Sequence, residues 1–337
     1  MKRITLALSA LLLVGAVYQI VGDRRDRTRF PQVGRSVDIG GRSLNIFCSG
    51  EGKPTVVFDS GRGMPGYSWL LIQPQIAKTM KACWYDRAGL GWSDPGPGPR
   101  SSDAVARDLH QLLQRAGVAP PYVLVGHSMG GFNVRVYQKF YPADVAGLVL
   151  VDARQEGMEA RIPDMPRSLE ALCPSCPRAP LAIAGEAVGR LGLMRLWSLD
   201  SDPVPSGVSA EQWERLASLR RRPGAVAAAI QEHSGRENDR ELGGTDLGDL
   251  PTVVLTAGRA FASSTRVRAD ALPKVQHDWV QLQQELARRS TRGQHRVVAG
   301  SDHMIPYEAP QAVIDAVRDV VTEIRDDSGA DLTQPTR

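Results

Sequence analysis

Cysteine, lysine and metal-binding patterns are scarce in this sequence, and each shortage excludes a class of protein. Four cysteines in 337 residues are too few for a small scaffold built on disulfides. Only six of the 41 basic residues are lysine, and the arginines are scattered, so a net charge of +4 does not indicate nucleic-acid binding. There is no His-Glu-x-x-His motif, and Cys173 and Cys176 form a pair without partner ligands, so neither a metal nor a cofactor is expected.

What remains is the composition of a globular chain, with 42% hydrophobic and 23% charged residues. These values exclude global disorder and collagen-like or polytopic membrane architectures. At roughly 150 residues per domain the length suggests two domains, although α/β folds often run longer as one unit.

The N-terminal segment is predicted to lie outside the folded domain. Residues 4–21 carry no charge and as a helix would be about 27 Å long, just enough to cross a thin bilayer. A secretory signal peptide is the alternative, with Val14 and Ala16 forming a weak cleavage site. The basic residues at 24, 25, 27 and 29 favour an uncleaved anchor. Residues 1–33 are therefore interpreted as an anchor or signal plus linker, and an enzyme lacking residues 1–30 is expected to stay active.

From residue 34 onward, short apolar runs alternate with helical patterns. Predicted strands cover residues 36–39, 43–48, 55–58, 82–85, 122–125, 147–151, 252–256 and 296–299. Predicted helices cover residues 69–78, 103–115, 129–140, 279–289 and 309–324. This alternation predicts an α/β fold with a mostly parallel sheet covered on both faces, formed by residues 34–153 and 250–325, with an antiparallel hairpin at its start. Residues 326–337 are polar and are predicted to be a disordered tail.

One long segment, residues 154–249, interrupts the alternation. It contains helical patterns at 186–197, 210–220 and 225–232, separated by joints rich in proline and glycine. A structureless loop of that length is implausible inside a compact domain, so a helical insertion is predicted. Because ligands bind beyond the carboxyl ends of the strands in open α/β sheets, this insertion is expected to cap the site.

The strongest chemical signal is the pentapeptide at residues 126–130, Gly-His-Ser-Met-Gly. It follows an apolar strand and opens a helix, which is the context that a G-x-S-x-G nucleophile elbow requires. Such a turn exposes the hydroxyl of Ser128 at the end of the strand. The N–H of Met129 would then form part of an oxyanion hole at the start of the helix.

A nucleophilic serine needs a base, and His303 is the best placed of the six histidines. It alone follows the carboxyl end of the last predicted strand, on the side of the sheet where Ser128 emerges. The others lie in the elbow, in helices, in the insertion or at a strand start, where structural or exposed positions are expected. His303 is therefore predicted to be the general base.

The chain from about residue 34 to 324 resembles the α/β-hydrolase superfamily, in the esterase- and lipase-like group that includes many capped bacterial hydrolases. Besides the elbow, the resemblance is carried by residues 59–63 (Asp-Ser-Gly-Arg-Gly), by the D-R-x-G-x-G-x-S segment at 86–93, and by residues 143–152, which end in Val-Leu-Val-Asp. It implies an eight-stranded sheet with a helical cap between strands six and seven. It also implies that the loop at 59–63 supplies a second oxyanion donor, the N–H of Arg62, although the family's usual histidine is missing there.

The triad acid has two candidate positions in this family. After strand seven the G-x-x-D pattern fails, since Gly258 is followed by no carboxylate before Asp270. After strand six, Asp152 lies 24 residues beyond Ser128 at the same end of the sheet. Asp152 is therefore predicted to hold the base, with Asp270 as the alternative; Asp302 is discounted because it is adjacent to His303.

The family's strand order, 1-2-4-3-5-6-7-8, also bears on the cysteines. It brings the end of strand two beside the start of strand four, and so places Cys48 near Cys83. A Cys48–Cys83 disulfide is predicted on that basis, and Cys173–Cys176 is a second candidate bridge. Bonded cysteines would place the domain in an oxidising compartment outside the cytoplasmic membrane; two ordinary buried thiols are the alternative.

Taken together, these features predict a serine hydrolase that cleaves a carboxylic ester or related acyl bond through an acyl-enzyme. A serine rather than an aspartate at the elbow favours this over epoxide or haloalkane chemistry. Apolar side chains at 191, 193, 194, 196 and 197 suggest an uncharged or lipid-like substrate. The expected partners are this substrate and, through residues 4–21, a membrane. A cofactor-free oxidoreductase or lyase and a non-catalytic binding protein on the same scaffold remain alternatives.

Overall fold

The fold is built on one eight-stranded sheet. The computed structural model describes residues 2–162, 178–196, 203–234, 246–261 and 267–328. Its strands are β1 Arg35–Asp38, β2 Ser43–Ser49, β3 Thr55–Asp59, β4 Ala82–Tyr85, β5 Tyr122–His127, β6 Val145–Val151, β7 Thr252–Ala257 and β8 Gly293–Val298. They lie in the order β1-β2-β4-β3-β5-β6-β7-β8, with β1–β2 and β2–β4 antiparallel and the remaining pairs parallel. The predicted α/β-hydrolase fold is confirmed.

The central strands are buried on both faces, which explains their continuous apolar runs. Every residue of β3, β4, β5 and β7 is buried. Successive side chains point to opposite faces of a sheet, so Val123 and Val125 pack into one apolar cluster while Leu124 packs into the other. A parallel sheet with both faces apolar needs a helical layer on each side.

Helices supply those two layers. Outside the β6–β7 insertion they are α1 Lys2–Arg29, α2 Gln73–Ile76, α3 Ser102–Arg115, α4 Met129–Phe140, α10 Leu272–Ala287, α11 Ile305–Glu308 and α12 Pro310–Ser328. Helix α3 illustrates the pattern, since Val105, Leu109 and Leu112 recur at helical spacing and are buried against the sheet. Helix α12 continues to Ser328, so the start of the predicted tail is helical; residues 329–337 lie outside the described part.

The described part of the insertion between β6 and β7 is mostly helical. It contains α5 Met158–Arg161, α6 Arg178–Arg190, α7 Leu193–Leu196, α8 Ala210–Arg220 and α9 Pro223–Ser234. The predicted helix over 186–197 is interrupted: residues 186–190 belong to α6 and residues 193–196 to α7, while residue 197 lies outside the described residues. The chain breaks at Gly192, which has a left-handed φ of +71°, and α6 instead begins earlier and ends at Arg190.

The expectation that the N-terminal segment lies outside the fold is also wrong for its second half. Gln19 is 2% exposed and donates through Nε2 to the carbonyl of Arg221, and Asp26 pairs with Arg195 at 2.7 Å. Phe30 is 1% exposed. These contacts tie α1 to the insertion, so deleting residues 1–30 would remove part of the packed structure.

The middle of α1 has a different surface. Apolar and aromatic side chains are exposed there, namely those at 11–14, 17, 18, 20 and 21. Among the residues described here, no helix is both long enough and apolar enough to span a bilayer, so the predicted spanning anchor over 4–21 finds no support in them.

The structure contains the predicted Cys48–Cys83 disulfide. The two cysteines are register partners on the antiparallel strands β2 and β4, with their Cα atoms 4.1 Å apart. Pairing across the ladder therefore brings the two sulfurs together. Cys173 and Cys176 lie outside the described residues.

Thiol titration checks this bond. Denatured but unreduced protein should react at no more than two of its four cysteines, because Cys48 and Cys83 are joined. Reduction under the same denaturing conditions should release at least two further thiols. Four reactive thiols without reductant would contradict the bond and would remove the argument for an oxidising compartment.

Candidate active site

A sharp turn between β5 and α4 presents Ser128. Its backbone has φ +54° and ψ −118°, a strained conformation typical of a nucleophile elbow. The turn also requires very close packing. A Cβ on Gly130 would lie 2.3 Å from the carbonyl oxygen of Asp59, and one on Gly126 would lie 2.4 Å from the carbonyl of Gly130. Glycine at both positions therefore lets strand, turn and helix approach closely.

Three predicted residues meet at the carboxyl ends of the strands. Ser128 follows β5, Asp152 follows β6, and His303 lies in the loop after β8. The Oγ of Ser128 lies 3.0 Å from Nε2 of His303, and Nδ1 of the same ring lies 2.6 Å from Oδ2 of Asp152. The arrangement is a continuous hydrogen-bonded chain from hydroxyl to carboxylate.

Asp152 is held rigidly. It is fully buried and has a left-handed φ of +43°. Its Oδ1 accepts hydrogen bonds from the N–H of Ala257 at 2.9 Å and from Nε1 of Trp279 at 2.7 Å, which leaves Oδ2 for His303. The alternative acid, Asp270, is 68% exposed and pairs with Arg268, so it is not part of this arrangement.

Burial and the neighbouring Asp152 shift the pKa of His303 in opposite directions. Burial lowers the pKa, but the hydrogen bond and negative charge of Asp152 outweigh burial and raise it above the ordinary 6.5. The neighbouring carboxylate of Asp302 accepts a hydrogen bond from the N–H of Met304. Because only the neutral ring can accept a proton, this base becomes more competent as the pH rises through its raised pKa.

His127 contacts the same loop, and sequence reasoning missed this. It is buried, and its Nε2 lies 2.8 Å from the carbonyl oxygen of His303, which it must therefore contact as the N–H tautomer. Burial and the nearby His303 lower the pKa of His127 to about 3, so the ring stays neutral. No sequence signal marks this residue, because its partner is a backbone atom 176 positions away.

The two predicted oxyanion donors belong to segments that lie next to the nucleophile. Met129 begins α4, so its N–H is one of the unpaired amides at a helix start. The loop at 59–63 lies against the elbow, since a Cβ on Gly61 would be 3.5 Å from Cβ of Ser128. The structure thus brings Arg62, which follows Gly61, beside the elbow.

A buried ionic cluster lies beneath that loop. Arg87 pairs with Asp59 at 2.5 Å and with Glu232 at 2.5 Å, and all three side chains are at most 2% exposed. Arg87 belongs to the D-R-x-G-x-G-x-S segment that carries the family resemblance, but no role was predicted for it. No role was predicted for Glu232 either, because it comes from α9 in the insertion, whose register against the core cannot be read from a pattern.

An apolar cluster joins the insertion to both sides of the site. It includes Met64, which follows the loop at 59–63, and Met304, which follows His303. The insertion contributes Trp213 and Leu216, and the Trp213 ring meets Tyr307 edge-on at 5.8 Å. Within the described ranges, no group of three or more His, Cys, Asp or Glu side chains is arranged to hold a metal ion.

The chain is similar to several known proteins in sequence and in fold. The uncharacterized protein YbdG of Bacillus subtilis (strain 168) is 29% identical over 158 residues, covering 45% of this chain and 49% of that protein. A 2-hydroxy-6-oxononadienedioate/2-hydroxy-6-oxononatrienedioate hydrolase of Klebsiella pneumoniae is 33% identical over 136 residues, covering 38% of this chain and 46% of that protein. A thermophilic esterase from Thermogutta terrifontis has the same fold, with a TM-score of 0.60 at 23% identity over 86% of this chain and 98% of that one.

These matches differ in the share of each chain that they cover. The chain spans about half the length, or less, of the first curated relatives it matches. A model of the family described as "Alpha/beta hydrolase family", by contrast, matches residues 56–316, which is well over half of the chain. The chain therefore belongs to the alpha/beta hydrolase family.

Proposed function

We propose that this protein is a serine hydrolase that cleaves a carboxylic ester or related acyl bond through an acyl-enzyme. The observation that carries the proposal is the chain of hydrogen bonds from Ser128 Oγ through His303 to Asp152, at 3.0 and 2.6 Å. It pairs a nucleophile with a base and the base with an orienting carboxylate.

The proposed reaction has two balanced halves. His303 Nε2 takes the proton of Ser128 as Oγ attacks the acyl carbon, and Asp152 stabilises the resulting imidazolium. The N–H groups of Met129 and Arg62 hold the oxyanion of the tetrahedral intermediate. Collapse expels the alcohol, which takes the proton from His303. Water then attacks the acyl-enzyme by the same route, which releases the acid and restores Ser128.

The substrate we propose is uncharged and at least partly apolar. The cluster that includes Met64, Trp213 and Met304 offers mainly apolar and aromatic side chains, with the Arg215 guanidinium 5.6 Å from the ring centroid of Tyr67 at its edge. Burial is the main reason that the pKa of each of its tyrosines, Tyr67 and Tyr307, is raised, so both stay neutral at physiological pH. In this proposal α8 forms part of a cap over the acyl or alcohol group, which would favour a medium-chain ester over a charged one.

Membrane association and export also remain proposals. The exposed apolar side chains of α1 and the arginines at 24 and 25 that follow them are suited to an interface with lipid. The Cys48–Cys83 bond supports a location outside the cytoplasm.

The pH dependence of the reaction should follow His303. Because the ring must be neutral to accept the Ser128 proton, and because Asp152 raises its pKa, kcat/KM should fall as the pH drops through a value above 6.5. Asp152→Asn should move this acid limb to lower pH, since the charge that raises the pKa is gone. A limb that stays in place in this variant, measured from pH 5 to 9, would show that another group controls it.

A panel of p-nitrophenyl esters of increasing acyl length tests the proposed function. The full-length protein should release nitrophenol with a pre-steady-state burst of about one equivalent per active site, because acylation by an activated ester is faster than hydrolysis of the acyl-enzyme. Activity should be greater on medium acyl chains than on charged esters such as the hemisuccinate. Absence of hydrolysis across the panel, together with resistance to a fluorophosphonate, would reject the proposal.

A further inference from the structure

The loop that carries Arg62 is held through its peptide carbonyls. Arg87 Nη1 donates to the carbonyl oxygen of Ser60 at 2.7 Å, and Nη2 donates to that of Gly61 at 2.8 Å. The Gly61 carbonyl and the Arg62 N–H belong to one peptide unit. Since that unit is planar and trans, its N–H and C=O point in opposite directions. Fixing the Gly61 carbonyl onto Arg87 therefore fixes the direction of the Arg62 N–H.

Its other hydrogen bonds fix the guanidinium of Arg87 in this orientation. Nη1 also donates to Asp59 Oδ1 at 2.5 Å, Nε donates to Glu232 Oε1 at 2.5 Å, and Nη2 reaches Glu232 Oε2 at 3.1 Å. All five N–H groups of the guanidinium are thus used. The side chain is 2% exposed, so losing a partner would leave a charge or a donor unpaired out of reach of water.

Glu232 also holds the loop directly. Its Oε2 accepts the N–H of Gly63 at 3.0 Å. Hydrogen bonds therefore hold the backbone on both sides of Arg62, at Gly61 through Arg87 and at Gly63 through Glu232. Both of these contacts involve the carboxylate of Glu232, which comes from α9, whereas the loop itself belongs to the core of the fold.

We infer that Glu232 and Arg87 are positioning residues that orient the N–H of Arg62, the second oxyanion donor. The oxyanion hole is then complete only when α9 of the insertion packs against the loop at 59–63. The inference rests on the proposed function, because it assigns Arg62 N–H to the oxyanion. It gives the insertion a role in the chemical step in addition to any contact with substrate. Without α9 the Gly61 carbonyl would keep its hydrogen bond from the Met64 N–H at 3.1 Å, but Arg87 and Gly63 would lose their Glu232 partner. The Gly61–Arg62 peptide would then be held less firmly, and turnover should fall while the Ser128–His303–Asp152 chain stays intact.

Glu232→Gln is the test, with Glu186→Gln as its matched control. Glutamine keeps the shape and one acceptor oxygen but cannot provide both carboxylate oxygens to Arg87 and Gly63. Glu186 lies on α6 of the same insertion in an exposed pair with Arg190, so its variant controls for loss of charge there. We expect Glu232→Gln to lower kcat by at least about tenfold, because loss of one oxyanion donor costs 10²- to 10³-fold. KM and the acid limb of the pH profile should change little, and Glu186→Gln should match the wild type.

Two further measurements distinguish a positioning role from a purely structural one. The rate of Ser128 modification by a fluorophosphonate, whose tetrahedral adduct uses the same donors, should fall in parallel with kcat. Glu232→Asp keeps the charge beside Arg87 but falls short of Gly63, so it should lose part of kcat; if only one variant folds, that variant decides. Unchanged kcat in a folded Glu232 variant, or a loss confined to KM, would overturn the inference. Failure of the wild type to be labelled would instead reject the proposed function.

Discussion

Replacing Ser128 with alanine is expected to lower kcat by about 10⁵- to 10⁶-fold on any ester that the wild type hydrolyses. The alanine removes the atom that lies 3.0 Å from His303 Nε2 and would form the acyl bond. The fold should be retained, because the strain at this position belongs to the backbone, whose turn is set by Gly126 and Gly130. Steady-state kinetics and the midpoint of thermal unfolding measure the two effects separately.

A serine outside the site gives the matched control. Ser36 is exposed on β1, and Ser36→Ala should keep wild-type kcat and KM. If Ser128→Ala retained more than about a hundredth of wild-type turnover, hydrolysis would not depend on a serine nucleophile. Water activated by His303 would then be the alternative route.

Asp152→Asn is expected to lower kcat by about 10⁴-fold with little effect on stability. The direction follows from the hydrogen bonds around the carboxylate. Ala257 N–H and Trp279 Nε1 both donate to Oδ1, so an asparagine would keep its oxygen there and turn its amide toward His303. Nδ1 of the ring would then have to accept, which places the proton on Nε2. An Nε2–H cannot take the proton of Ser128.

Asp270→Asn distinguishes the two acids that the sequence left open. Asp270 is exposed and paired with Arg268, so its variant should keep full activity. The reverse result, with Asp152→Asn near wild type and Asp270→Asn inactive, would show that the acid follows β7 and that the assignment of Asp152 is wrong.

The parts of the fold that were predictable from sequence are those governed by local patterns. Buried parallel strands are continuous apolar runs, and β4 and α4 have their predicted bounds. The elbow was visible because a strand, a G-x-S-x-G turn and a helix are contiguous. His303 was predicted from the rule that parallel strands end at one edge of the sheet, whereas Asp152 was chosen from two positions that the family resemblance offered.

The parts that were missed depend on packing between distant segments. Residues 1–33 were interpreted as an anchor or signal plus linker because residues 4–21 carry no charge. Yet Gln19 donates to the carbonyl of Arg221, and Asp26 pairs with Arg195 of the insertion. Glu232 looks like an ordinary helix-surface carboxylate in the sequence, but it is 3% exposed in the fold. No local pattern could place it beside Arg87, since 145 residues separate the two.

Covalent labelling tests the central claim, a nucleophilic Ser128 activated by His303, most directly. Full-length protein is treated with a fluorophosphonate, its intact mass is measured, and the modified peptide is sequenced by tandem mass spectrometry. We predict one adduct per chain, located on Ser128, together with complete loss of esterase activity and no adduct in Ser128→Ala. Labelling at another residue, or an unlabelled Ser128 in protein that still hydrolyses esters, would contradict the claim.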